Sequence, residues 1–366
     1  MAGLVNPSPA FWAGKRVLLT GHTGFKGAWL WRWLRRLGAE PFGFALAPDT
    51  TPSLAALCGI TDDPASTLGD LRDPAALGAA MQRARPDVVL HLAAQALVRR
   101  SYDEPVATFE TNVMGTIHLL EAVRRTPSVR SVVVVTSDKC YENREWCWPY
   151  REDEALGGYD PYSASKAGTE LVAAAWGRSF LRGPGPDGRR VGVATARAGN
   201  VIGGGDWALD RLVPDCMRSL GAGRPVLIRS PNATRPWQHV LEPLSGYLVL
   251  AERLWGDQDA FAEAWNLGPS MEQVQPVSIV VDTVTRLWGD GARWERVGGD
   301  HPHEAGYLAV DASKARTRLR WEPRLALRDA LSWTVEWHKR QAGGEAAPAL
   351  VDEQIERYER HEAIHA

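Results

Sequence analysis

A glycine-rich turn near the amino terminus most strongly constrains how this chain can fold. The run at residues 20–27, TGHTGFKG, directly follows the apolar residues 17–19 and directly precedes the helix-like stretch 28–34. A strand, a glycine turn and a helix in this order start a dinucleotide-binding unit, because glycine lets the backbone approach a pyrophosphate and the helix amino terminus favours its charge. The predicted dinucleotide ligands in this run are Gly21, His22, Thr23, Gly24, Phe25, Lys26 and Gly27.

The first two hundred residues alternate short β-branched runs with longer amphipathic stretches. This rhythm predicts an α/β protein with a Rossmann-type, doubly wound parallel sheet, whose ligand lies beyond the carboxyl ends of the strands. Strands are expected at 16–19, 41–46, 87–91, 131–136 and 191–197, and helices at 26–37, 73–84, 112–124 and 162–181.

The composition of the sequence and its hydrophobic pattern change after Gly199. Residues 200–207 are rich in glycine and are predicted to be irregular, and strand signals are sparse beyond them. We therefore expect a dinucleotide-binding domain at 1–199, with a returning segment near 236–262, and a smaller, mixed, substrate-binding domain at 200–366.

Composition excludes several classes of protein. The 366 residues carry 42 Lys and Arg against 44 Asp and Glu, so no basic excess favours a nucleic-acid partner. The four cysteines lack metal-site spacing, which predicts no metal and reduced thiols. No stretch approaches the ~20 apolar residues of a membrane span, and residues 1–12 lack the apolar core of a signal peptide. We expect a cytoplasmic protein with no membrane partner.

A second motif, Tyr162-Ser-Ala-Ser-Lys166, places a tyrosine and a lysine on one face of a helix. A free tyrosine, with a pKa near ~10, is a poor base, and the lysine is expected to stabilise its phenolate and to bind the nicotinamide ribose. Asp160 and Pro161 favour a helix start at this point. The alternative is a solvated helix pair. Together with the glycine turn, the pair favours an oxidoreductase-type site.

Further cofactor ligands are expected near the ends of the next strands. Asp49 is placed to hold a ribose, although a turn aspartate beside Pro48 is equally reasonable. Asp70 and Leu71 are placed to meet the adenine, with a helix cap as the alternative for Asp70. No Lys or Arg occurs between residues 41 and 71, which favours NAD over NADP. The remaining predicted cofactor ligands follow the strand at 87–91, and they are Leu92, Ala93 and Ala94.

Polar residues also follow the valine run at 132–135. Ser137, Asp138 and Lys139 are expected at the carboxyl edge of the sheet, where a catalytic role is favoured over a simple loop ion pair. Four residues of the second half suit a nucleotide diphosphate, although each could be structural and the histidine more readily so. They are Asn200, Arg211, Arg235 and His239.

These motifs resemble the extended short-chain dehydrogenases/reductases and, within them, closely the CDP-glucose 4,6-dehydratases. The similarity runs from residue 11 to residue 355. The dTDP-glucose dehydratases are less similar, because they carry Thr-Asp-Glu where this chain has Ser137-Asp138-Lys139. The most specific segments are 20–27, 136–146, 160–166, 197–207 and 235–240.

The resemblance implies NAD-dependent conversion of CDP-D-glucose to CDP-4-keto-6-deoxy-D-glucose in deoxysugar biosynthesis. Tyr162 would take the proton of the C4 hydroxyl, to which Ser137 is hydrogen-bonded, as hydride passes from C4 to NAD. Asp138 would protonate the leaving C6 hydroxyl. Lys139 would act at C5, either as a neutral base or as a cation beside the enolate, before hydride returns to C6. Catalysis is thus expected from Ser137, Asp138, Lys139, Tyr162 and Lys166.

The resemblance also implies a homodimer formed through the helices at 112–124 and 162–181, with a tetramer as the alternative. Other functions remain open at this point: another nucleotide-sugar 4,6-dehydratase, a 4-epimerase, or a non-catalytic nucleotide-binding scaffold. Asp138 and Lys139 argue against the epimerase, which loses no water. Tyr162 and Lys166 argue against the scaffold.

Overall fold

The computed structural model describes residues 5–184, 188–298 and 306–360. Its strands are β1 Arg16–Thr20, β2 Glu40–Ala45, β3 Ser66–Leu68, β4 Val88–His91, β5 Ser131–Val135, β6 Gly192–Ala198, β7 Asn200–Ile202, β8 Val226–Ile228, β9 Thr234–His239, β10 Ala264–Leu267, β11 Val274–Pro276 and β12 Trp294–Arg296. Its α-helices are α1 Pro9–Trp12, α2 Phe25–Arg36, α3 Leu54–Leu57, α4 Pro74–Ala84, α5 Val98–Asp103, α6 Pro105–Phe109, α7 Gly115–Arg124, α8 Pro161–Trp176, α9 Leu212–Gly221, α10 Leu241–Gly256, α11 Gln258–Phe261, α12 Val277–Trp288, α13 Leu327–Ala342 and α14 Ala347–Arg360.

A seven-stranded sheet in the order β10-β6-β5-β4-β1-β2-β3 forms the centre of the described chain. All of its neighbouring strands are parallel. The strand order reverses between β1 and β4, and ligands of such sheets bind at that switch point. The predicted Rossmann-type fold is therefore confirmed.

Helices cover both faces of this sheet, which explains why β4 and β5 consist of fully buried residues. One face carries α2 and α10, whose Trp29, Leu30, Leu244 and Leu248 belong to the same apolar cluster. The other face is covered by residues of α4 and α7, such as Met81 and Leu120. No helix of the described residues combines the length and the apolar character needed to cross a membrane.

The segment after Gly199 is more regular than predicted. Residues 200–202 form β7, which runs parallel to β9 and pairs Asn200 with Trp237, so the prediction of irregular structure is wrong for these residues. The glycines at 203–205 follow the strand and do not interrupt it. Strands β7, β9 and β11 form one small sheet and β8 with β12 another.

The chain also returns to the large sheet late in the sequence. Helix α10 packs against β5 and β6, and β10 extends the sheet beside β6. The helices predicted at 112–124 and 162–181 are present with one π-helical turn each, at Glu110–Met114 and Gly177–Leu181. The short helices α5 and α6 were not predicted.

Candidate active site

A cleft of about 1110 Å³ opens at the carboxyl ends of the central strands. The structure brings to it all but two of the predicted site residues. The predicted residues that line it are Gly21, Thr23, Gly24, Phe25, Lys26, Gly27, Asp49, Asp70, Leu71, Leu92, Ala93, Ala94, Ser137, Asp138, Lys139, Tyr162, Lys166, Asn200, Arg211 and Arg235.

The glycine turn forms a tight junction between β1 and α2. Gly21 has a φ of +75°, and a Cβ atom on it would lie 2.7 Å from the backbone nitrogen of Ala93. A Cβ on Gly27 would lie 2.1 Å from the carbonyl oxygen of Gly21. Helix α2 begins after Gly24 without a side-chain cap, so its first N–H groups remain available to an anion. This geometry fits a dinucleotide pyrophosphate.

His22 does not reach the cleft. Its ring is buried beside Trp31, and its Nε2 lies 2.7 Å from the hydroxyl of Ser66. Room for the ring exists because residue 43 is glycine, where a Cβ would lie 2.4 Å from the imidazole. Burial lowers the pKa of His22 to about 4. Its side chain therefore packs beneath the turn and is not placed to contact a cofactor.

His239, predicted to bind substrate, is also in the core. Its ring makes edge contacts with Trp29 and Trp333, at centroid distances of 6.0 and 5.6 Å, and it is fully buried. Burial lowers the pKa of His239 to about 3, so the ring is neutral. The structure thus supports the structural alternative, because a neutral ring enclosed by indoles cannot contact a diphosphate.

The cleft also contains two carboxylates that were predicted to meet the adenosine part of the cofactor, Asp49 and Asp70. Asp70 accepts a hydrogen bond of 2.6 Å from Nη2 of Arg72, which holds the pKa of Asp70 below its usual value. The residue that caps α4 is Asp73, whose carboxylate accepts from the backbone N–H of Ala75 at 2.9 Å. Asp70 is therefore not the helix cap.

Tyr162 stands at the start of α8, which Asp160 caps by accepting from the N–H of Ser163 at 2.9 Å. Burial raises the pKa of Tyr162 to about 12, while its hydrogen bond with Ser137 acts in the opposite direction. Nζ of Lys166 donates to the carbonyl of Val135 at 3.2 Å, and burial lowers the pKa of Lys166 to about 8. The expected lowering of the tyrosine pKa is not found, because desolvation outweighs the other influences on it.

Asp138 is the buried carboxyl group of the site, with 2% of its surface exposed. Its Oδ1 accepts from the Ser137 hydroxyl at 3.0 Å, and its Oδ2 has no hydrogen-bond partner within the described residues. Burial raises the pKa of Asp138, and the neighbouring Lys139 opposes that rise. A buried carboxyl with a raised pKa and an unpaired oxygen, on a residue that lines a cleft, can act as a proton donor.

Comparisons with known proteins agree with this chemistry. The family model described as GDP-mannose 4,6 dehydratase matches residues 18–182. The chain is 52% identical over 335 residues to the CDP-glucose 4,6-dehydratase of Salmonella typhimurium, covering 92% of this chain and 93% of that protein. The chain belongs to the CDP-glucose 4,6-dehydratase family. The resemblance inferred from the motifs is thereby confirmed.

Solved structures share the family's fold. An epimerase from Methanothermobacter thermautotrophicus superposes with a TM-score of 0.77 and 22% identity, over 92% of this chain and 95% of that one. A dTDP-glucose 4,6-dehydratase from Bacillus anthracis, solved in complex with NAD, superposes with a TM-score of 0.74 and 22% identity, over 89% and 97% of the two chains.

This member of the CDP-glucose 4,6-dehydratase family has cleft residues that the sequence analysis missed. Arg72 lines the cleft beside Asp70, one position beyond the interval 41–71 that contains no Lys or Arg. Arg99 and Arg229 also line the cleft. Nη1 of Arg99 lies 3.3 Å from Oδ1 of Asp210, and Nη1 of Arg229 lies 3.8 Å from the same oxygen. Arg211 lies 3.0 Å from Asp206. Because Arg99 and Arg229 occur in no recognisable motif, only the fold brings them together.

Proposed function

We propose that the protein removes water from CDP-D-glucose, giving CDP-4-keto-6-deoxy-D-glucose for deoxysugar biosynthesis, with NAD as its cofactor. The observation that carries this proposal is the buried group of Ser137, Asp138 and Tyr162, which faces a cleft large enough for a dinucleotide and a nucleotide sugar. The choice of CDP-glucose rests on the 52% identity to the Salmonella enzyme of that name.

The glycine turn and α2 would hold the NAD pyrophosphate, because they offer closely packed backbone and uncapped N–H groups. Asp49 and Asp70 would bind the adenosine end, and residues 92–94 would line the path toward the nicotinamide. Lys166 would bind the ribose that carries the nicotinamide. When bound there, NAD would supply the hydride acceptor for oxidation at C4 and, once reduced, the hydride donor for C6.

Tyr162 acts on the C4 hydroxyl of the sugar. Its phenolic oxygen takes the hydroxyl proton while Ser137, its hydrogen-bond partner, holds the same hydroxyl. The phenolate is the form of Tyr162 that can take this proton, and the positive charge of Lys166, one helical turn away, stabilises that phenolate. Because burial raises the pKa of Tyr162 to about 12, Tyr162 must first release its own proton to solvent, and its role as base rests on its placement beside Ser137.

Asp138 and Lys139 carry out the loss of water. The C4 ketone acidifies the C5 proton, and Lys139 acts at C5, as base or as the cation beside the enolate. Asp138, whose pKa is raised by burial, gives its proton to the leaving C6 hydroxyl. Arg211, Arg235 and Asn200 line the cleft where the diphosphate would lie.

The test is to incubate the purified protein with CDP-, dTDP-, UDP- and GDP-glucose, with and without added NAD, and to measure product masses. We expect loss of one water from CDP-glucose alone, without net accumulation of reduced cofactor. Water loss from a different nucleotide sugar would overturn the substrate assignment but not the reaction. Unchanged masses in protein shown to hold NAD would favour a 4-epimerase or a non-catalytic scaffold.

We further propose that residues 1–199 and the returning segment bind NAD, and that the remainder binds the nucleotide sugar. The small sheets after β6 support this division. The four unpaired cysteines support a reducing, cytoplasmic location.

A homodimer is supported by apolar side chains on the surface of the segment from α6 to α7 and on α8 with its π-helical turn. Val106 is 69% exposed, Leu171 62% and Phe180 54%. These exposed apolar side chains suit a helical interface that joins two subunits, because monomeric proteins seldom expose large apolar patches.

Replacing Leu171 with aspartate is therefore expected to halve the molar mass measured by light scattering, because a charge would be buried at the interface. The same change at Ile279, which is 46% exposed on α12, serves as the control and should leave the mass unchanged. A wild-type protein with the mass of one chain would contradict the homodimer.

A further inference from the structure

A buried polar network adjoins residues 136–141, the catalytic segment that contains Ser137, Asp138 and Lys139. Its centre is the ion pair of Glu170 and Arg197, joined at 2.8 Å, with only 3% of either side chain exposed. Replacing a buried ion pair with apolar residues is often neutral or even stabilising. Stability alone therefore does not account for this pair, and its contacts indicate another role.

Glu170 connects the two pieces of the proposed active site. It belongs to α8, one turn after Lys166 and two turns after Tyr162. Its Oε1 accepts a short hydrogen bond from the hydroxyl of Thr136, the residue directly before Ser137. Its Oε2 accepts from the Thr195 hydroxyl at 2.6 Å and from Arg197 at 2.8 Å.

Arg197 holds the other end of the catalytic segment. Its Nη1 donates to the hydroxyl of Tyr141 at 2.7 Å, and its guanidinium lies 4.8 Å from the centre of that ring. Tyr141 follows the 3₁₀ turn of Asp138–Cys140 and donates in turn to Oδ1 of Asn266 at 2.7 Å. The segment from Thr136 to Tyr141 is thus attached at both ends to one ion pair.

We infer that Glu170 and Arg197 are positioning residues, which fix Ser137 and Asp138 relative to Tyr162 and Lys166. This inference rests on the proposed dehydration. Proton transfers at C4 and at C6 demand that these side chains keep their separations, and an error of about 1 Å can cost on the order of 100-fold in rate. Glu170 and Arg197 supply that constraint, and neither is among the residues that line the cleft.

Two threonines offer a matched test, because both donate to Glu170 but only Thr136 adjoins the catalytic serine. Thr136→Val is expected to lower kcat for water loss from CDP-glucose by about 10- to 100-fold with KM little changed. Thr195→Val leaves Arg197 on the same oxygen and is expected to change kcat by less than about threefold. Thr136→Ser keeps the hydroxyl and should recover wild-type kcat.

A pH profile provides a readout that general destabilisation would not produce. Two groups near Lys166, Glu170 and Cys140, raise the pKa of Lys166. Lys166 in turn lowers the pKa of His91 and of Lys26, which also lie near it. Glu170→Gln removes the negative charge, so Lys166 should lose its proton at lower pH, and the alkaline limb of C4 oxidation should move to lower pH. Glu242→Gln, a change at another buried carboxylate that accepts from Tyr358 at 2.6 Å, should leave the profile in place.

Equal kcat values for Thr136→Val and wild type, or equal losses in both threonine variants, would overturn the positioning role while the dehydration stands. If the alkaline limb of folded Glu170→Gln lay at the same pH as that of the wild type, the positioning role would likewise be overturned. A wild-type protein that removes water from none of the nucleotide sugars would overturn both proposals, so the two failures are distinguishable.

Discussion

Tyr162→Phe is expected to reduce turnover of CDP-glucose by about 1,000-fold. Phenylalanine keeps the ring packed at the start of α8 but cannot take the proton of the C4 hydroxyl. Without that transfer the sugar is not oxidised, and every later step depends on the ketone. The measurement is the rate of product formation by mass under saturating substrate, with nucleotide-sugar binding measured in parallel.

Tyr247→Phe is the matched control. Tyr247 is fully buried on α10, and its hydroxyl has no hydrogen-bond partner within the described residues, so its removal should leave turnover unchanged. Binding of the nucleotide sugar should survive in both variants. Retention of more than about a tenth of the wild-type rate by Tyr162→Phe would contradict the assignment of Tyr162 as base.

The parts of this molecule that local sequence determines were predictable. The turn at residues 20–27 could be predicted because a strand, glycines and a helix follow one another without a break. The placement of Tyr162 and Lys166 one turn apart in α8 follows from helix periodicity alone, and the start of α8 follows from Asp160. Each of these signals is complete within a few residues.

The errors arise where distant segments meet. His22 is a core residue because Ser66 and Gly43 receive it, and His239 because Trp333 covers it. Residues 200–202 form a strand because β9 pairs with them, which outweighs their neighbouring glycines. No window of sequence around any of these residues contains its partner.

The same reasoning applies to the electrostatics of the site. The lysine motif predicts a lowered pKa for Tyr162, whereas burial raises it to about 12. How far a side chain is buried depends on every element that covers it, and desolvation is the largest influence on Tyr162, Lys166 and Asp138. A motif identifies the groups present but does not give the solvation of each group.

Asp138→Asn is expected to separate the two halves of the reaction. An amide has nearly the shape of the carboxyl but no acidic proton, so the loss of the C6 hydroxyl should slow by about 100- to 1,000-fold. Oxidation at C4 uses Tyr162 and should continue. The variant should therefore accumulate reduced nicotinamide, visible by its ultraviolet absorbance, and should exchange the C5 hydrogen with deuterium from the solvent.

The pH dependence of water loss by the wild-type protein is a second test of Asp138 as the acid. Burial raises the pKa of Asp138, so the protonated, active form extends to higher pH than for an exposed aspartate, and its contribution is lost as the pH rises through that value. A falling limb of water loss that C4 oxidation does not share, separate from the limb that Lys166 gives, would identify Asp138 as the acid. If Asp138→Asn slowed oxidation and water loss equally, its role would be in arranging Ser137, to which it is hydrogen-bonded at 3.0 Å, and not in proton donation.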